Sequence, residues 1–380
     1  MTSLSSPSFE GRFLKAVYCQ GEPDRVPLVE AGIDSQIKAR FLGRPLKGLA
    51  DEIAFWASAG YDFIPLESGL RTIIDAAIHH EKAGRFENLG LDRPAVAAAK
   101  KFAIDRLTPQ HLTTVAEDGT RRTWAPEGRG FITTMEDLEA FPWPDPRDLD
   151  YSAFRAVRSL LPDGMGAIPF TGAIFSCLML MLGIEECLMQ MALESDLFAA
   201  LLRRVGEFQL KVVEITLGFE AVGGIWINDD MGHKTALLAS PRLFRKHIFP
   251  YYREIKHLAE SRGVPLLLHS DGRITEIVPD LCKIGFNAIH PIDPNGMTLA
   301  ETRAIAGPRM CLIGNLSLAF PLGTGSPEEV ARETAALLRS AAPGGGYCLS
   351  SGNSIPDYVP YENWLAMRDT ALRVGVYPIA

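Results

Sequence analysis

Short apolar runs alternate along this chain with longer segments in which apolar residues recur at helical spacing. Apolar runs of this kind are typical of strands that are buried on both faces of a parallel sheet. Eight such runs are predicted strands, and each is followed by a predicted helix: Arg25–Glu30, Tyr61–Glu67, Ala167–Phe170, Gly224–Ile227, Val264–Leu268, Ala288–Ile292, Met310–Ile313 and Tyr347–Leu349. Eight such alternations predict an α/β fold, a single (β/α)₈ TIM barrel over residues 1–380.

Helix boundaries are marked by capping residues. The predicted helix Pro241–Arg262 starts with a proline behind Ser240, a good N-cap, and ends before Gly263. The other predicted helices are Gly11–Cys19, Ser35–Phe41, Leu49–Ala59, Tyr151–Leu161, Phe175–Leu182, Ser195–Leu217, Ile274–Ile284, Leu299–Ala306, Pro327–Ala341 and Tyr361–Val374.

The alternation breaks between about residues 69 and 150, where charges, glycines and a proline cluster predict an excursion inserted after the second strand. Alternating residues around Asp118-Gly119 predict a hairpin, Leu112–Val115 against Arg121–Ala125, that caps one end of the main body. An open doubly wound sheet is the second interpretation. It would usually place a glycine-rich phosphate loop after the first strand, and Glu30-Ala31-Gly32 is not such a loop.

The composition narrows the class of protein. The chain is 47% hydrophobic, which is enough for a large core, and its net charge of -8 without any Lys/Arg run argues against nucleic-acid binding. The six cysteines are far apart, as expected for reduced thiols. No apolar run reaches the roughly 18 residues that a membrane span needs. The sequence therefore predicts a soluble, cytoplasmic protein whose partners are small molecules or proteins.

Polar residues follow most of the predicted strands. In a TIM barrel the carboxyl ends of the strands surround one pocket, and several carboxylates that converge there favour a cation. The residues predicted at this end are Glu30, Glu67, Thr171, Asn228, Asp229, Asp230, His269, Asp271, Asn315, Cys348, Ser351 and Asn353.

His269, Asp271 and Cys348 form the candidate metal site. Imidazole, carboxylate and thiolate are all ordinary Zn²⁺ ligands, and three protein ligands leave a fourth position for substrate. The alternative is a hydrogen-bonded histidine, an Asx-turn residue before Gly272, and a buried apolar thiol.

The remaining acidic residues have open roles. Glu30 and Glu67 are candidate general acids or bases, or pair with an arginine such as Arg71. Three roles are open for Asn228, Asp229 and Asp230: to bind a metal, to orient a substrate amine, or to cap the following segment.

Several ordered motifs resemble the uroporphyrinogen decarboxylase superfamily, which includes cobalamin-dependent methyltransferases that act with corrinoid proteins. The resemblance runs from about Gly11 to Val376 and itself implies a (β/α)₈ barrel. The motifs are W-I-N-D-D-M-G at 226–232, S-P-R-L-F at 240–244, L-H-S-D-G at 268–272, I-G-N-L-S at 313–317, G-G-Y at 345–347 and P-Y-E-N at 360–363.

Two branches of this superfamily differ from the chain in different places. Uroporphyrinogen decarboxylases carry an arginine-rich N-terminal segment and a histidine after the glycine that follows the last strand, where this chain has Asn353. Methylcobamide:thiol methyltransferases bind zinc through His-x-Cys and a later cysteine. The similar pattern here is His269-x-Asp271 with Cys348, in which a carboxylate replaces one thiolate.

The resemblance implies a zinc-dependent methyltransferase that moves a methyl group between a small substrate and a corrinoid protein. The chain has no Asp-x-His-x-x-Gly motif, so cobalamin is expected to arrive with that partner, and a homodimer is left open. The alternatives are a cofactor-free decarboxylase of a carboxylated pyrrole or aromatic, and a non-catalytic binding protein. The predicted catalytic residues are Glu30, Glu67 and Asp229, and the predicted substrate-binding residues are Asn228, Asp230, Asn315 and Asn353.

Overall fold

The computed structural model describes residues 6–78, 94–107, 112–115, 121–124 and 129–379. Its main sheet has seven parallel strands in the order β1-β4-β5-β6-β7-β8-β9. The strands are β1 (Phe63–Glu67), β4 (Gly166–Phe170), β5 (Ile225–Asn228), β6 (Leu266–His269), β7 (Ala288–His290), β8 (Cys311–Ile313) and β9 (Tyr347–Cys348), while β2 (Leu112–Val115) and β3 (Arg121–Trp124) pair with each other in an antiparallel ribbon.

The sheet curls around one apolar interior, as in a TIM barrel. Every strand of the main sheet contributes to a single buried cluster, which can happen only if their inner faces converge. Members of this inner cluster include Phe63, Ile168, Phe170, Trp226, Leu267, Ala288, Cys311, Ile313 and Cys348. The predicted parallel α/β fold with barrel-like curvature is therefore confirmed.

The prediction of a first strand at Arg25–Glu30 is wrong. This segment forms only isolated bridges, of which Leu28 to Leu349 is parallel and joins it to the end of β9. Val29 N donates to Leu349 O and Leu349 N donates to Pro27 O. Because Pro27 has no N–H, it cannot donate in a regular ladder. The described residues thus contain seven strands of the barrel sheet, with an irregular segment beside β9.

A short helical segment closes the amino end of the barrel. It is π-helical over Phe9–Leu14 and α-helical over Lys15–Val17. Phe13 packs on Phe63 with ring centroids 4.7 Å apart, inside the inner cluster. Arg12 is buried and forms a 2.5 Å ion pair with Asp62. This segment therefore fills the end of the barrel at which the strands begin, and the carboxyl end is left for a site.

The α-helices surround the sheet. They are α1 (Lys15–Val17), α2 (Ser35–Leu42), α3 (Leu49–Ser58), α4 (Leu70–Ile78), α5 (Pro94–Leu107), α6 (Met135–Ala140), α7 (Ser152–Leu160), α8 (Phe175–Leu182), α9 (Ile184–Leu193), α10 (Asp196–Leu217), α11 (Pro241–Leu243), α12 (Phe249–Ser261), α13 (Val278–Ile284), α14 (Leu299–Ala306), α15 (Pro327–Ala341) and α16 (Tyr361–Val374). Further π-helical turns span Phe244–Ile248 and Leu318–Gly323, and a 3₁₀ turn spans Pro146–Asp148.

Two helix predictions need correction. The predicted helix Pro241–Arg262 is divided by the π-helical turn Phe244–Ile248, which directly precedes the turn that holds Pro250. A proline cannot donate to the carbonyl four residues earlier, so the regular ladder breaks there. The predicted helix Ile274–Ile284 is shorter and covers only Val278–Ile284.

The segment predicted to be an irregular excursion contains regular structure. Three helices, α4, α5 and α6, lie in it. The last of them begins with a capping box in which Thr134 and Asp137 exchange side-chain and backbone hydrogen bonds. The strands of the predicted hairpin pair as β2 and β3, whereas its turn at 117–119 and Ala125 lie outside the described residues. Its placement over one end of the barrel stays a prediction.

Within the described part of the chain, no single helix is both long and apolar enough to cross a membrane. Only α8 and α9 taken together reach that length and composition, and they are bent by 112° at their junction.

Candidate metal centre and substrate cavity

Three potential metal ligands meet at the carboxyl ends of β5 and β6. Asn228 pairs with His269 in the parallel register of these strands, so the residues that follow them are neighbours. The Nε2 atom of His269 lies 3.6 Å from Asp230 Oδ1 and 3.6 Å from Asp271 Oδ1. One ligand atom from each of these three residues lies within 4.8 Å of the other two.

The spacing of these atoms fits a small cation. Zinc bonds of about 2.1 Å in tetrahedral geometry place ligand atoms roughly 3.4 Å apart, close to the observed 3.6 Å. Both separations exceed a normal hydrogen bond. Asp271 Oδ1 is buried and accepts no hydrogen bond, although a buried carboxylate oxygen normally has a partner. A divalent cation bound between the three side chains would satisfy this oxygen.

Neighbouring groups hold the three side chains in place. His269 Nδ1 lies 2.8 Å from Nδ1 of His290, whose Nε2 lies 3.1 Å from Ser350 Oγ. Burial lowers the pKa of His290 well below its usual value, which keeps this ring neutral. A neutral imidazole has one N–H that donates and one nitrogen that accepts a hydrogen bond. The contact with His290 therefore fixes the orientation of the His269 ring from the side opposite its Nε2 atom, as in many metal sites.

The two carboxylates are also anchored. The Asp271 backbone N–H donates to Asp230 Oδ1 at 3.1 Å, and Asn353 Nδ2 donates to Asp271 Oδ2 at 2.5 Å. Arg71 Nη2 lies 3.5 Å from Asp230 Oδ2. Burial raises the pKa of Asp271 to about 6, against the opposing effect of His269. A cation at this position would favour the charged form of both carboxylates.

A cavity of about 220 Å³ adjoins the cluster. Among the described residues that line it, Glu67, Asp230 and Asp271 carry carboxylates, and Arg71 carries a guanidinium. The other lining residues are Ala31, Gly32, Ser68, Thr72, Phe170, Thr171, Ala173, Gln209, Asn228, His269, Asn353 and Ser354.

Six of the ten predicted site residues line this cavity: Glu67, Asn228, Asp230, His269, Asp271 and Asn353. The structure adds Asp230 to the predicted ligands His269 and Asp271. Asn353 reaches the same place from the loop after β9. Glu67 lies at the end of β1, and a catalytic role for it stays a prediction.

Cys348, the third predicted ligand, is neither part of this cluster nor among the described residues that line the cavity. It is fully buried in the inner apolar cluster, and its Sγ lies 3.8 Å from Cys311 Sγ. Burial raises the pKa of the Cys348 thiol well above its usual value. The strand β9 ends at Cys348, and the chain lines the cavity only five residues later, at Asn353.

Asp229 also has a different role from the one predicted. Its Oδ2 accepts hydrogen bonds from Ile174 N, Phe175 N and Tyr252 Oη, and its Oδ1 accepts one from Ser176 N. It is fully buried and binds the amino end of α8. Since successive residues of an extended chain point in opposite directions, Asp230 faces the cavity and Asp229 faces the helix.

Glu30 and Asn315 stabilise loops and do not line the cavity. Both carboxylate oxygens of Glu30 accept hydrogen bonds from Ser351, one from its N–H and one from its hydroxyl. Asn315 Nδ2 donates to Ile292 O at 2.9 Å. Asn315 follows β8 as predicted, whereas Glu30 lies in the irregular segment beside β9. Both side chains are already engaged by adjacent loops.

Sequence reasoning missed His290 and Gln209. His290 ends β7 in the same way that His269 ends β6, and this repeated pattern was a usable signal. Gln209 lies in the middle of the long helix α10, and no local pattern marks it. Arg71 was considered as a partner of Glu30 or Glu67, and the structure also places it 3.5 Å from Asp230.

The fold and the site define a TIM-barrel-like α/β protein with a polar cluster at the carboxyl ends of its strands. A family model described as Uroporphyrinogen decarboxylase (URO-D) matches residues 118–374, which is more than half of the chain. The protein belongs to this family, and the resemblance predicted from its motifs is confirmed.

Individual relatives include more than one activity. The chain is 27% identical over 257 residues to a uroporphyrinogen decarboxylase of Trichlorobacter lovleyi, a match that covers 64% of this chain and 72% of that protein. It is 30% identical over 132 residues to the methylcobamide:CoM methyltransferase MtaA of Methanosarcina barkeri, covering 34% of this chain and 38% of MtaA. A methyltransferase from Methanosarcina mazei has a similar fold, with a TM-score of 0.63, 17% identity, and coverage of 96% of this chain and 98% of that one.

Proposed function

We propose that this protein is a metal-dependent methyltransferase that moves a methyl group between the heteroatom of a small substrate and a corrinoid protein. The observation that carries the proposal is the cluster of His269, Asp230 and Asp271 beside the cavity. The similarity to MtaA supports the class of reaction, because that relative is a methylcobamide-dependent methyltransferase.

Zinc is the proposed metal, and the three side chains of the cluster are its proposed ligands. Imidazole and carboxylate oxygens bind Zn²⁺, and three protein ligands leave one position for the substrate. When bound, the metal supplies Lewis acidity that favours the deprotonated form of a coordinated heteroatom. Without a thiolate the cluster has less preference for soft metals, so elemental analysis also decides between zinc and iron or manganese.

The residues of the chain then have defined tasks. His290 and Ser350 orient the His269 ring, and Asn353 fixes the Asp271 carboxylate. The cavity binds the substrate and limits its size. Because the sequence has no motif that ligates cobalamin, a corrinoid partner is proposed to bring it to the carboxyl end of the barrel.

A decarboxylase is the second candidate, and the family match favours it. Arg71 in the cavity is a group that a substrate carboxylate would pair with, although it already contacts Asp230. Two properties of the cavity argue against this candidate. Three lining carboxylates repel a polycarboxylate when no metal is bound, and about 220 Å³ is below the roughly 300–1,000 Å³ of sites for drug-sized ligands, which favours a small substrate.

Metal analysis of the purified protein tests the proposal first. We expect about one metal ion per chain, because the three ligands form one site. His269→Ala should lose the metal, since it removes the central ligand. Cys348→Ala is the matched control, because it removes a potential ligand that lies in the apolar interior, and its metal content should equal that of the wild type.

Activity assays then separate the two candidates. With a methylated corrinoid protein, or methylcobalamin as a probe, and a small thiol or amine as acceptor, the wild type should transfer the methyl group and His269→Ala should not. A metal-free wild type that releases carbon dioxide from a carboxylated pyrrole would instead establish the decarboxylase and refute the methyltransferase.

A further inference from the structure

Four oxygen atoms of residues that line the cavity are buried without a hydrogen-bond partner. They are Ser68 Oγ, Thr171 Oγ1, Gln209 Oε1 and Asn228 Oδ1. Ser68, Thr171 and Gln209 are each more than nine-tenths buried. Buried polar groups without a partner are uncommon, because an unpaired group loses its hydrogen bonds to water and gains none in the fold. Four of them around one cavity indicate that a ligand supplies the missing hydrogen bonds.

These atoms are spread across neighbouring strand ends and one helix. Ser68 follows β1, Thr171 follows β4, and Asn228 ends β5, whereas Gln209 comes from α10. Adjacent strands are about 4.8 Å apart, so Thr171 lies roughly 10 Å along the rim from His269 on β6. The unpaired oxygens therefore extend from the metal cluster toward the opposite end of the cavity.

Two of these oxygens are held close together. Gln209 Nε2 donates to Ala173 O at 2.7 Å, which fixes the amide so that its oxygen points the other way. A Cβ on Gly69 would lie 2.8 Å from Gln209 Oε1 and 3.4 Å from Thr171 Oγ1. The missing side chain at Gly69 thus leaves space beside both oxygens.

The oxygen atoms at this end of the cavity favour a ligand that donates hydrogen bonds. The amide oxygens of Gln209 and Asn228 only accept hydrogen bonds, and the two hydroxyl oxygens accept as well as donate. A group with several N–H donors can form hydrogen bonds with all four oxygens, whereas a carboxylate has no donor and can pair only with the two hydroxyl groups.

We infer that this end of the cavity is a subsite for a protonated amine. We call it the acceptor subsite, after the hydrogen-bond acceptor oxygens of the residues that form it: Ser68, Thr171, Gln209 and Asn228. Together with the proposed function, on which this step rests, it defines the substrate class: a small molecule with a metal-binding heteroatom at one end and an alkylammonium group at the other.

Direct binding tests the acceptor subsite without requiring methyl transfer. The protein, as purified and with its metal content measured, is titrated by calorimetry with propylammonium, propan-1-ol and propionate, which are three-carbon molecules with different polar end groups. We expect propylammonium to bind about tenfold or more tightly than propan-1-ol, because hydrogen bonds to a charged donor are stronger, and propionate to bind most weakly. Tighter binding of propionate would make Arg71 the anchor and overturn the inference.

Two variants locate the binding. Thr171→Val removes one acceptor at constant shape, and Gln209→Leu removes another; each should weaken propylammonium binding about tenfold or more. Thr334→Val is the matched control, because Thr334 Oγ1 on α15 is equally buried and unpaired but is not among the lining residues. If both variants bind propylammonium like the wild type, the amine sits elsewhere and the subsite is refuted. Such a result would leave the methyltransferase proposal intact, since metal content and methyl transfer test that proposal separately.

Discussion

Replacing Glu30 by Gln should make the protein more stable at neutral and basic pH. Glu30 is completely buried, and burial raises the pKa of its carboxyl from 4.5 to about 8. Both of its oxygens accept hydrogen bonds from Ser351. A glutamine has the same shape, its oxygen still accepts from the Ser351 N–H, and the Ser351 hydroxyl can rotate to accept from the new amide group.

The sign and size of the effect follow from proton linkage. The folded state holds the Glu30 proton more tightly than the unfolded chain, so the stability that comes from this proton is fully present below about pH 4.5 and is lost as the pH rises to about 8. Each pH unit in this window costs about 1.4 kcal/mol. The whole window, about 3.5 pH units, therefore costs about 5 kcal/mol in wild type and nothing in Glu30→Gln.

Urea unfolding followed by tryptophan fluorescence measures this difference. The two proteins should have nearly equal unfolding free energies at about pH 5, and the variant should be several kcal/mol more stable at about pH 8. Glu254→Gln on the exposed surface of α12 is the control and should show no such divergence. A difference between Glu30→Gln and wild type that does not change with pH would show that Glu30 is ionised in the fold, and the reasoning would fail.

Three further substitutions have distinct expected outcomes. Asp229→Ala should lower the unfolding free energy by about 3 kcal/mol or more, because it leaves three backbone N–H groups and the Tyr252 hydroxyl unpaired. A variant that keeps its stability but loses the metal would contradict the capping role of Asp229. Asp230→Ala and Asp271→Ala should weaken metal binding to a similar degree in competition with a chelator, since both carboxylates lie 3.6 Å from His269, and loss in only one variant would reduce the ligand set. Phe13→Ala should lower the unfolding free energy by about 3–5 kcal/mol and leave the metal content unchanged, because the Phe13 ring fills the end of the barrel opposite the metal cluster. A variant of full stability that loses the metal would show that the two ends of the barrel are not independent.

Much of the site could be predicted from the order of strands and the polar residues behind them. His269, Asp271, Asp230, Asn228 and Asn353 were all placed at the carboxyl end, because a buried apolar run that stops at a polar residue marks that end. The direction in which each side chain points, and how deeply it is buried, could not be predicted. Asp229 and Asp230 are neighbours with the same side chain, and only the position of α8 decides that the first one caps a helix.

Cys348 shows the limit of ligand spacing as a guide. A thiol, an imidazole and a carboxylate at familiar intervals suggested a zinc site, but the two-residue strand β9 ends with its cysteine in the inner apolar cluster and not among the residues that line the cavity. The unpaired oxygen of Gln209 is a different case. It depends on how the middle of α10 packs over the ends of β1 and β4, and that packing comes from contacts far apart in sequence.

The contact between residues 25–33 and the segment 349–355 also bears on how the protein is made. Leu28 bridges Leu349, Ile33 bridges Ile355, and Glu30 binds Ser351, all across more than 300 residues of chain. During synthesis the early segment cannot pair until residues 349–355 have left the ribosome, because closure of so long a loop cannot begin sooner. His269 and both aspartates of the cluster are translated well before Asn353. The nascent chain therefore carries all three proposed metal ligands before Asn353 exists, and Asp271 gains its hydrogen bond from Asn353 only after that later segment has been made and has folded.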